Sequence, residues 1–253
     1  MIKEEPFIFI TARLKSQRLK KKLILPIGKY NLITLLILNL KKEFKPKNIV
    51  LITSKNFQDK PLIKIAKKNK INFFCGDPDD VLMRIYQASK KFKLKNVLSC
   101  TADNPFVSSK YAKKLYKYHI KNNNDLSSND TLPLGTFCYC IKVDALEKVL
   151  NIKSTVFTEI WGDYFRKIRI FKCGRYEKIP KKYQIPKLRL TVDYIEDYNF
   201  INTIYKLANK KIPTFNDIMN IILKKKYLID LNKNLIQKKL NKIILKKKFK
   251  KLI

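Results

Sequence analysis

Three cations and two acids carry the chemistry available to this chain. Arg13, Arg18 and Lys22 fall within one stretch, Arg13-Leu14-Lys15-Ser16-Gln17-Arg18-Leu19-Lys20-Lys21-Lys22, directly behind the apolar run Phe7-Ile8-Phe9-Ile10-Thr11-Ala12. Their spacing lets several cations converge on one multivalent anion, and Ser16 adds a hydroxyl donor. A polyphosphate suits such a loop, although a solvated loop in a basic protein carries the same charges. Asp103 and Asp193 each stand just past an apolar run, Val97-Leu98-Ser99-Cys100-Thr101-Ala102 and Leu188-Arg189-Leu190-Thr191-Val192. Mg²⁺ takes one or two carboxylates and leaves its other positions to water and phosphate oxygens, so a separated Asp pair beside a cationic loop suits that ion. Each acid also has an ordinary structural reading, and Asp103-Asn104-Pro105 is a good turn on its own.

These residues need elements to hold them. The first apolar run is short and rich in Phe and Ile, as expected of a central strand of a parallel sheet, and the loop leaving its carboxyl end sits where open α/β sheets bind ligands. The pattern then predicts a helix around Leu32 to Phe44, a strand at Asn48 to Ser54, a helix near Pro61 to Asn69 and a strand at Ile71 to Cys75. A helix at Asp79 to Phe92, with Asp79 and Asp80 in its first turn, and a strand at Asn96 to Thr101 follow. This alternation implies a mostly parallel sheet with helices on both faces.

From about residue 125 to 190 the rhythm breaks, with turn-forming clusters at 122–124 and 127–130, a strand at Thr136 to Val143 and a helix from Asp144. A strand at Lys187 to Val192 ends on Asp193, and a helix begins near Glu196. After Pro213 the chain reads as helical to its end. The expected organisation is an α/β domain over 1–210 with an inserted segment at 125–190, and a Lys-rich helical extension over 211–253.

The formal charge of +36 invites a nucleic-acid reading, but only seven of the 56 basic residues are Arg and lysine is spread along the whole chain. That spread points to a general coding bias, so nucleic acid is expected to bind only non-specifically. The five cysteines are odd in number and lack a C-x-x-C pair, which argues against a disulfide framework or zinc site and leaves them as buried free thiols. His119, the one histidine, lies in the charged helical stretch Lys113 to Lys121 and is expected at the surface. The opening residues are polar and the apolar run behind them is too short for a signal peptide or membrane span, so a cytoplasmic protein is expected.

Four ordered segments resemble the sugar cytidylyltransferases, a family that includes the acylneuraminate and 3-deoxy-manno-octulosonate enzymes and, most similar, the spore-coat polysaccharide biosynthesis group. Residues 12–22 resemble its A-R-x-x-S-x-R-L-P-G-K signature, and residues 76–86 its G-x-x-x-D-V-L-x-R-Y-Y segment. Thr101-Ala102-Asp103-Asn104-Pro105-Phe106 is similar to T-G-D-C-P-L, and residues 189–197 to R-L-T-V-D-Y-P-E-D.

The resemblance implies a Rossmann-like α/β fold of the nucleotide-diphospho-sugar transferase type, and transfer of a nucleoside monophosphate from its triphosphate to a sugar hydroxyl with release of pyrophosphate. It implies that Arg13, Arg18 and Lys22 hold the β- and γ-phosphates, with Ala12, Ser16, Asp80 and Arg84 completing the nucleotide site, and that Asp103 and Asp193 hold Mg²⁺. For Arg84 a solvated helix position is an equal alternative. CTP is the family's usual substrate, an acidic or amino sugar the acceptor, and a homodimer through the middle region the assembly. Glu159 and Trp161 are candidates for the acceptor site, although Trp161 also fits a partly buried aromatic face. Departures from the pattern are Lys20-Lys21 in place of Pro-Gly, Ala102 in place of Gly, and Ile195 in place of Pro. Two other readings compete: a GT-A-type glycosyltransferase using Asp77 to Asp80 as its acidic metal motif, and a basic RNA-binding protein.

Overall fold

In the computed structural model, which describes residues 5–158 and 161–235, the apolar runs become strands of one sheet. Its seven strands lie in the order β5 (Asn72–Gly76), β4 (Ile49–Ser54), β1 (Ile8–Thr11), β6 (Asn96–Thr101), β8 (Tyr139–Lys142), β7 (Leu126–Ser128) and β9 (Cys173–Arg175). β5, β4, β1 and β6 pair in parallel, β8 runs antiparallel to both β6 and β7, and β9 is parallel to β7. Six of these seven strands therefore point their carboxyl ends at one edge. A small hairpin-like pair, β2 (Pro26–Ile27) and β3 (Tyr30–Asn31), closes the loop that follows β1.

The period-2 alternation of strands sorts side chains between two apolar cores. Ile8 and Ile10 face the first core, together with α1 (Leu32–Leu40), α2 (Lys60–Lys68), α4 (Ser109–Asn122), α7 (Ile195–Ala208) and α8 (Phe215–Lys224). Phe9, Val50 and Ile52 face the second, against α3 (Val81–Lys91), α5 (Val143–Ile152) and α6 (Gly162–Arg166). Helix starts are fixed by side-chain oxygens on the first free amides. Asn31 Oδ1 accepts from Thr34 N at 2.9 Å at the head of α1, and Asp80 Oδ1 from Met83 N at 3.1 Å at the head of α3. Thr214 and Asp217 form a capping box on α8.

Several expectations are corrected. The stretch Leu188–Val192 joins no sheet; it is buried, with a single bridge between Leu134 and Arg189. Asp79 and Asp80 precede α3 instead of occupying its first turn, because Asp80 is its cap. His119 is buried, since α4 turns Ala112, Leu115, Tyr116 and His119 inward together, and its ring meets Ser127 Oγ at 2.9 Å and Asn96 Oδ1 at 3.2 Å. All five cysteines are free, yet Cys173 is exposed on the edge strand β9 and Cys75 half-buried, so only Cys100, Cys138 and Cys140 fit the buried description. Among the described residues no helix is long and apolar enough to cross a membrane. The expectation of a Lys-rich helical extension lies, beyond residue 235, outside the described residues.

Candidate active site

The loop between β1 and α1 folds back so that Lys22 lands between the two acids. Lys22 Nζ donates to Asp103 Oδ2 at 2.6 Å, to the Val192 carbonyl at 2.7 Å and to Asp193 Oδ1 at 2.9 Å, which spends all three ammonium protons. Arg18 Nη2 donates to the same Asp193 Oδ1 at 2.7 Å, and its guanidinium lies 5.0 Å from the centre of the Tyr194 ring. Burial alone would lower the pKa of Lys22, but Asp103 and Asp193 more than reverse this and raise it above the ordinary lysine value. Burial likewise pushes the Asp103 carboxyl up while Lys22 pulls it down, and the net direction is below the usual carboxylate range. Asp103, Asp193, Arg18 and Lys22 thus form one charged cluster from loops remote in sequence.

Each arm of the cluster is braced. Val192 N donates to the Asp103 carbonyl at 3.0 Å and Leu190 N to the Leu134 carbonyl at 2.7 Å, so the segment carrying Asp193 is stitched to two loops at the sheet's carboxyl edge. Asp197 in the first turn of α7 accepts from Asp193 N at 3.0 Å and Tyr194 N at 3.2 Å. Its two oxygens also take Arg189 through Nε at 3.2 Å and Nη2 at 3.0 Å, and Asn232 Nδ2 at 2.9 Å. This fork-to-fork pair fixes the turn on which Asp193 sits, and Asp197 does the work that Ile195 leaves undone at the helix start. On the other side, fully buried Asp59 accepts from Leu14 N at 2.7 Å and from the Ser54 hydroxyl, tying the cationic loop to the tip of β4. Sequence reasoning missed Asp59 and Arg189; an acid in a short apolar-flanked turn after a strand is the signal that Asp59 offered.

The remaining candidates are placed as follows. Arg13 Nη1 meets Asp79 Oδ1 at 3.1 Å, bridging the loop after β1 to the loop after β5. Ser16 Oγ accepts from Leu19 N at 3.4 Å inside its own loop, and Ala12 is buried with its N–H on the Ile52 carbonyl at 3.0 Å. Lys21, where the family pattern has glycine, adopts φ 53° and ψ 26°, a left-handed conformation that glycine takes without penalty. Asp80 is almost wholly buried: it caps α3, accepts the Thr158 hydroxyl at 2.8 Å and pairs with Lys153. Arg84 is not a solvated helix residue. It lies beneath the loop, with Nη1 on the carbonyls of Asp77 and Pro78, and burial together with nearby Arg13 lowers its pKa to about 10. Trp161 packs in the second core with its ring 5.0 Å from that of Tyr139 and 6.2 Å from that of Phe165. Glu159 lies outside the described residues.

The acids of the alternative glycosyltransferase motif are engaged locally. Asp77 Oδ1 accepts from the N–H of Asp79 at 2.8 Å and of Asp80 at 2.7 Å, Asp79 pairs with Arg13, and Asp80 with Lys153. Among the described residues no cluster of three or more His, Cys, Asp or Glu side chains is arranged for a metal. The donor chemistry at Asp103 and Asp193, two carboxylates meeting at one cation, fits an ion that takes few protein ligands.

Comparison with known proteins gives the family of the chain. Residues 7–248 match the family model described as cytidylyltransferase. An uncharacterized protein of Methanocaldococcus jannaschii is 30% identical over 231 residues, covering 90% of this chain and 95% of its own. The spore coat polysaccharide biosynthesis protein SpsF of Bacillus subtilis is 26% identical over 208 residues, 80% of this chain and 87% of that protein. The solved structure of a cytidylyltransferase from Leptospira borgpetersenii superimposes with a TM-score of 0.81 at 25% identity, over 92% of this chain and 98% of that one. With the family model matched along almost its whole length, the chain belongs to the cytidylyltransferase family and is a nucleotidyltransferase.

Proposed function

We propose that this chain is a Mg²⁺-dependent sugar cytidylyltransferase that moves CMP from CTP onto a sugar hydroxyl, with release of pyrophosphate, in the making of a surface polysaccharide or related glycan. The observation that carries the reading is the meeting of Asp103 and Asp193 at Lys22, beside Arg18. Family membership and the name of the SpsF relative support the nucleotide and the pathway class. In the reaction the sugar oxygen bonds to the α-phosphorus as the bond to the bridging oxygen of the β-phosphate breaks, pyrophosphate leaving with that bond's electron pair and the hydroxyl proton passing to solvent. Such transfers depend on positioning and on neutralising charge as it spreads over phosphate oxygens. Lys22 and Arg18 bring positive charge to the place where that charge would build up, and Arg13 stands on the same loop. When bound by Asp103 and Asp193, Mg²⁺ would supply Lewis-acid polarisation of the α-phosphate. The same reading takes an acidic or amino sugar as acceptor, a homodimer as the assembly and the cytoplasm as its place.

Pyrophosphate release measured across the four nucleoside triphosphates and a panel of acidic and amino sugars, with and without Mg²⁺, tests it. CTP with one sugar class and Mg²⁺ should give turnover, and Asp103→Ala or Asp193→Ala should cut kcat by about 10³-fold or more with the circular dichroism spectrum unchanged. Full activity in either variant rejects the metal assignment.

A further inference from the structure

Lys22 does more in this structure than a phosphate-binding lysine needs to do. Its ammonium sits on Asp103 Oδ2 and Asp193 Oδ1, the acids assigned above to the metal, and its third proton is held by the Val192 carbonyl. We propose that Lys22 is an internal counter-ion that fills the place between the two carboxylates in the free enzyme and gives it up to the divalent cation when the triphosphate arrives. The inference rests on the metal reading of the previous section.

Charge accounting leads to it. Asp103 and Asp193 bring two negative charges, and Lys22 and Arg18 return two positive ones. Arg189 is balanced by Asp197. The cluster is therefore neutral without a metal, and a divalent ion entering it would meet an ammonium at contact distance where little water screens the repulsion, because the side chains of Lys22 and Asp193 are only 11% and 4% exposed. The triphosphate changes the balance. Lys22 shares its loop with Arg13 and Arg18, and its four-carbon stem lets the ammonium swing from carboxylate to phosphate oxygens while the backbone stays. Asp103 then loses its cation, and Asp193 keeps only Arg18 and, at 3.8 Å, Arg189; next to an added polyanion, that is the setting that attracts a hard cation. By linkage, nucleotide and metal each raise the affinity for the other, and the free protein is a poor metal binder.

The experiment uses Mn²⁺ alone as the probe on the full chain without nucleotide, read by the electron paramagnetic resonance signal of free Mn²⁺ and by the thermal shift on adding Mn²⁺. Lys22→Met should bind one Mn²⁺ per chain at least about tenfold more tightly than the unaltered protein, since the competing charge is gone. Its melting temperature should rise with Mn²⁺ while that of the unaltered protein barely moves. Adding Asp103→Asn to Lys22→Met should remove the gain. Lys22→Gln keeps a donor for Asp103 without the charge and should shift in the same direction, which keeps the comparison decisive if the Met variant folds poorly. Equal Mn²⁺ affinity in the unaltered protein and in both Lys22 variants overturns the proposal, as does the absence of binding in both variants. Mg²⁺-dependent turnover together with equal affinities rejects the exchange alone, whereas turnover that ignores Mg²⁺ rejects the metal reading beneath it.

Discussion

Acidification provides a measurable test of how the sheet's amino edge is built, because the buried imidazole of His119 prefers to be neutral. Burial lowers its pKa from the ordinary 6.5 to about 4. The sign follows from linkage: below pH 6.5 the unfolded chain takes up a proton that the folded chain refuses, so stability that is complete above pH 6.5 is lost as the pH falls toward 4. The two values give a loss of about 2 kcal/mol by pH 5 and about 3 kcal/mol by pH 4 from this one group. For a chain of this size that corresponds to a drop in melting temperature on the order of 10 °C at the acid end. Carboxylates titrate in the same range, so the informative quantity is a difference: melting temperature against pH from 7 to 4.5, for the protein and for His119→Gln. Gln offers an amide to Asn96 and Ser127 but has no proton to gain, so its curve should fall less steeply. Parallel curves for the two proteins would refute the assignment of a neutral, sequestered imidazole.

Other expectations follow from single contacts. Lys21→Gly removes a left-handed side-chain residue, partly offset by the looser unfolded chain, and should stabilise by about 0.5–1 kcal/mol in chemical denaturation, while Lys21→Val should cost at least as much. Gly135→Ala would place a Cβ 2.4 Å from the Leu190 carbonyl carbon at a φ of +89°. It should lower both the melting temperature and kcat, the latter because Leu190 leads to Asp193. Asp197→Ala takes the forked carboxylate from the buried Arg189, which also lies 3.8 Å from Asp193, and removes the acceptor of the Asp193 turn; a loss of about 3–5 kcal/mol is expected in urea unfolding.

The parallel half of the fold was readable because its strands are short apolar runs bounded by charged or turn-forming residues. The cationic loop and Asp103 therefore fell at known strand tips. Asp193 was placed beside them for a partly mistaken reason. Leu188, Leu190 and Val192 alternate with Arg189 and Thr191 as strand residues do, but the amides of Leu190 and Val192 are satisfied by the loops at Leu134 and Asp103 and that of Leu188 by Ile185, and a period of two says nothing about which partner answers. His119 was legible and misread: Ala112, Leu115, Tyr116 and His119 share one helical face, yet the lysines between them dominated the reading. Strands β7 and β9 have three residues each, too few for a periodic signal. The local engagement of Asp80 depends on Lys153 and Thr158, more than 70 positions away, a pairing that no local pattern announces.

The reversed strand β8 has a consequence for how this enzyme can diversify. It follows β7 through a loop without a helix and runs against both its neighbours, while β7, reached through α4, and β9, reached through α5 and α6, bring their tips to the same ledge as those of β1 and β6. With strands about 4.8 Å apart, β7 stands roughly 10 Å and β9 roughly 14 Å to the side of the phosphate-facing tips. One half of the ledge holds the cations and paired acids, and the other ends in Asp130, clasped by Arg166 and Arg175. Mutational drift on that outer half can proceed without disturbing the inner one, provided that the Pro133–Gly135 turn between them keeps its grip on Leu190.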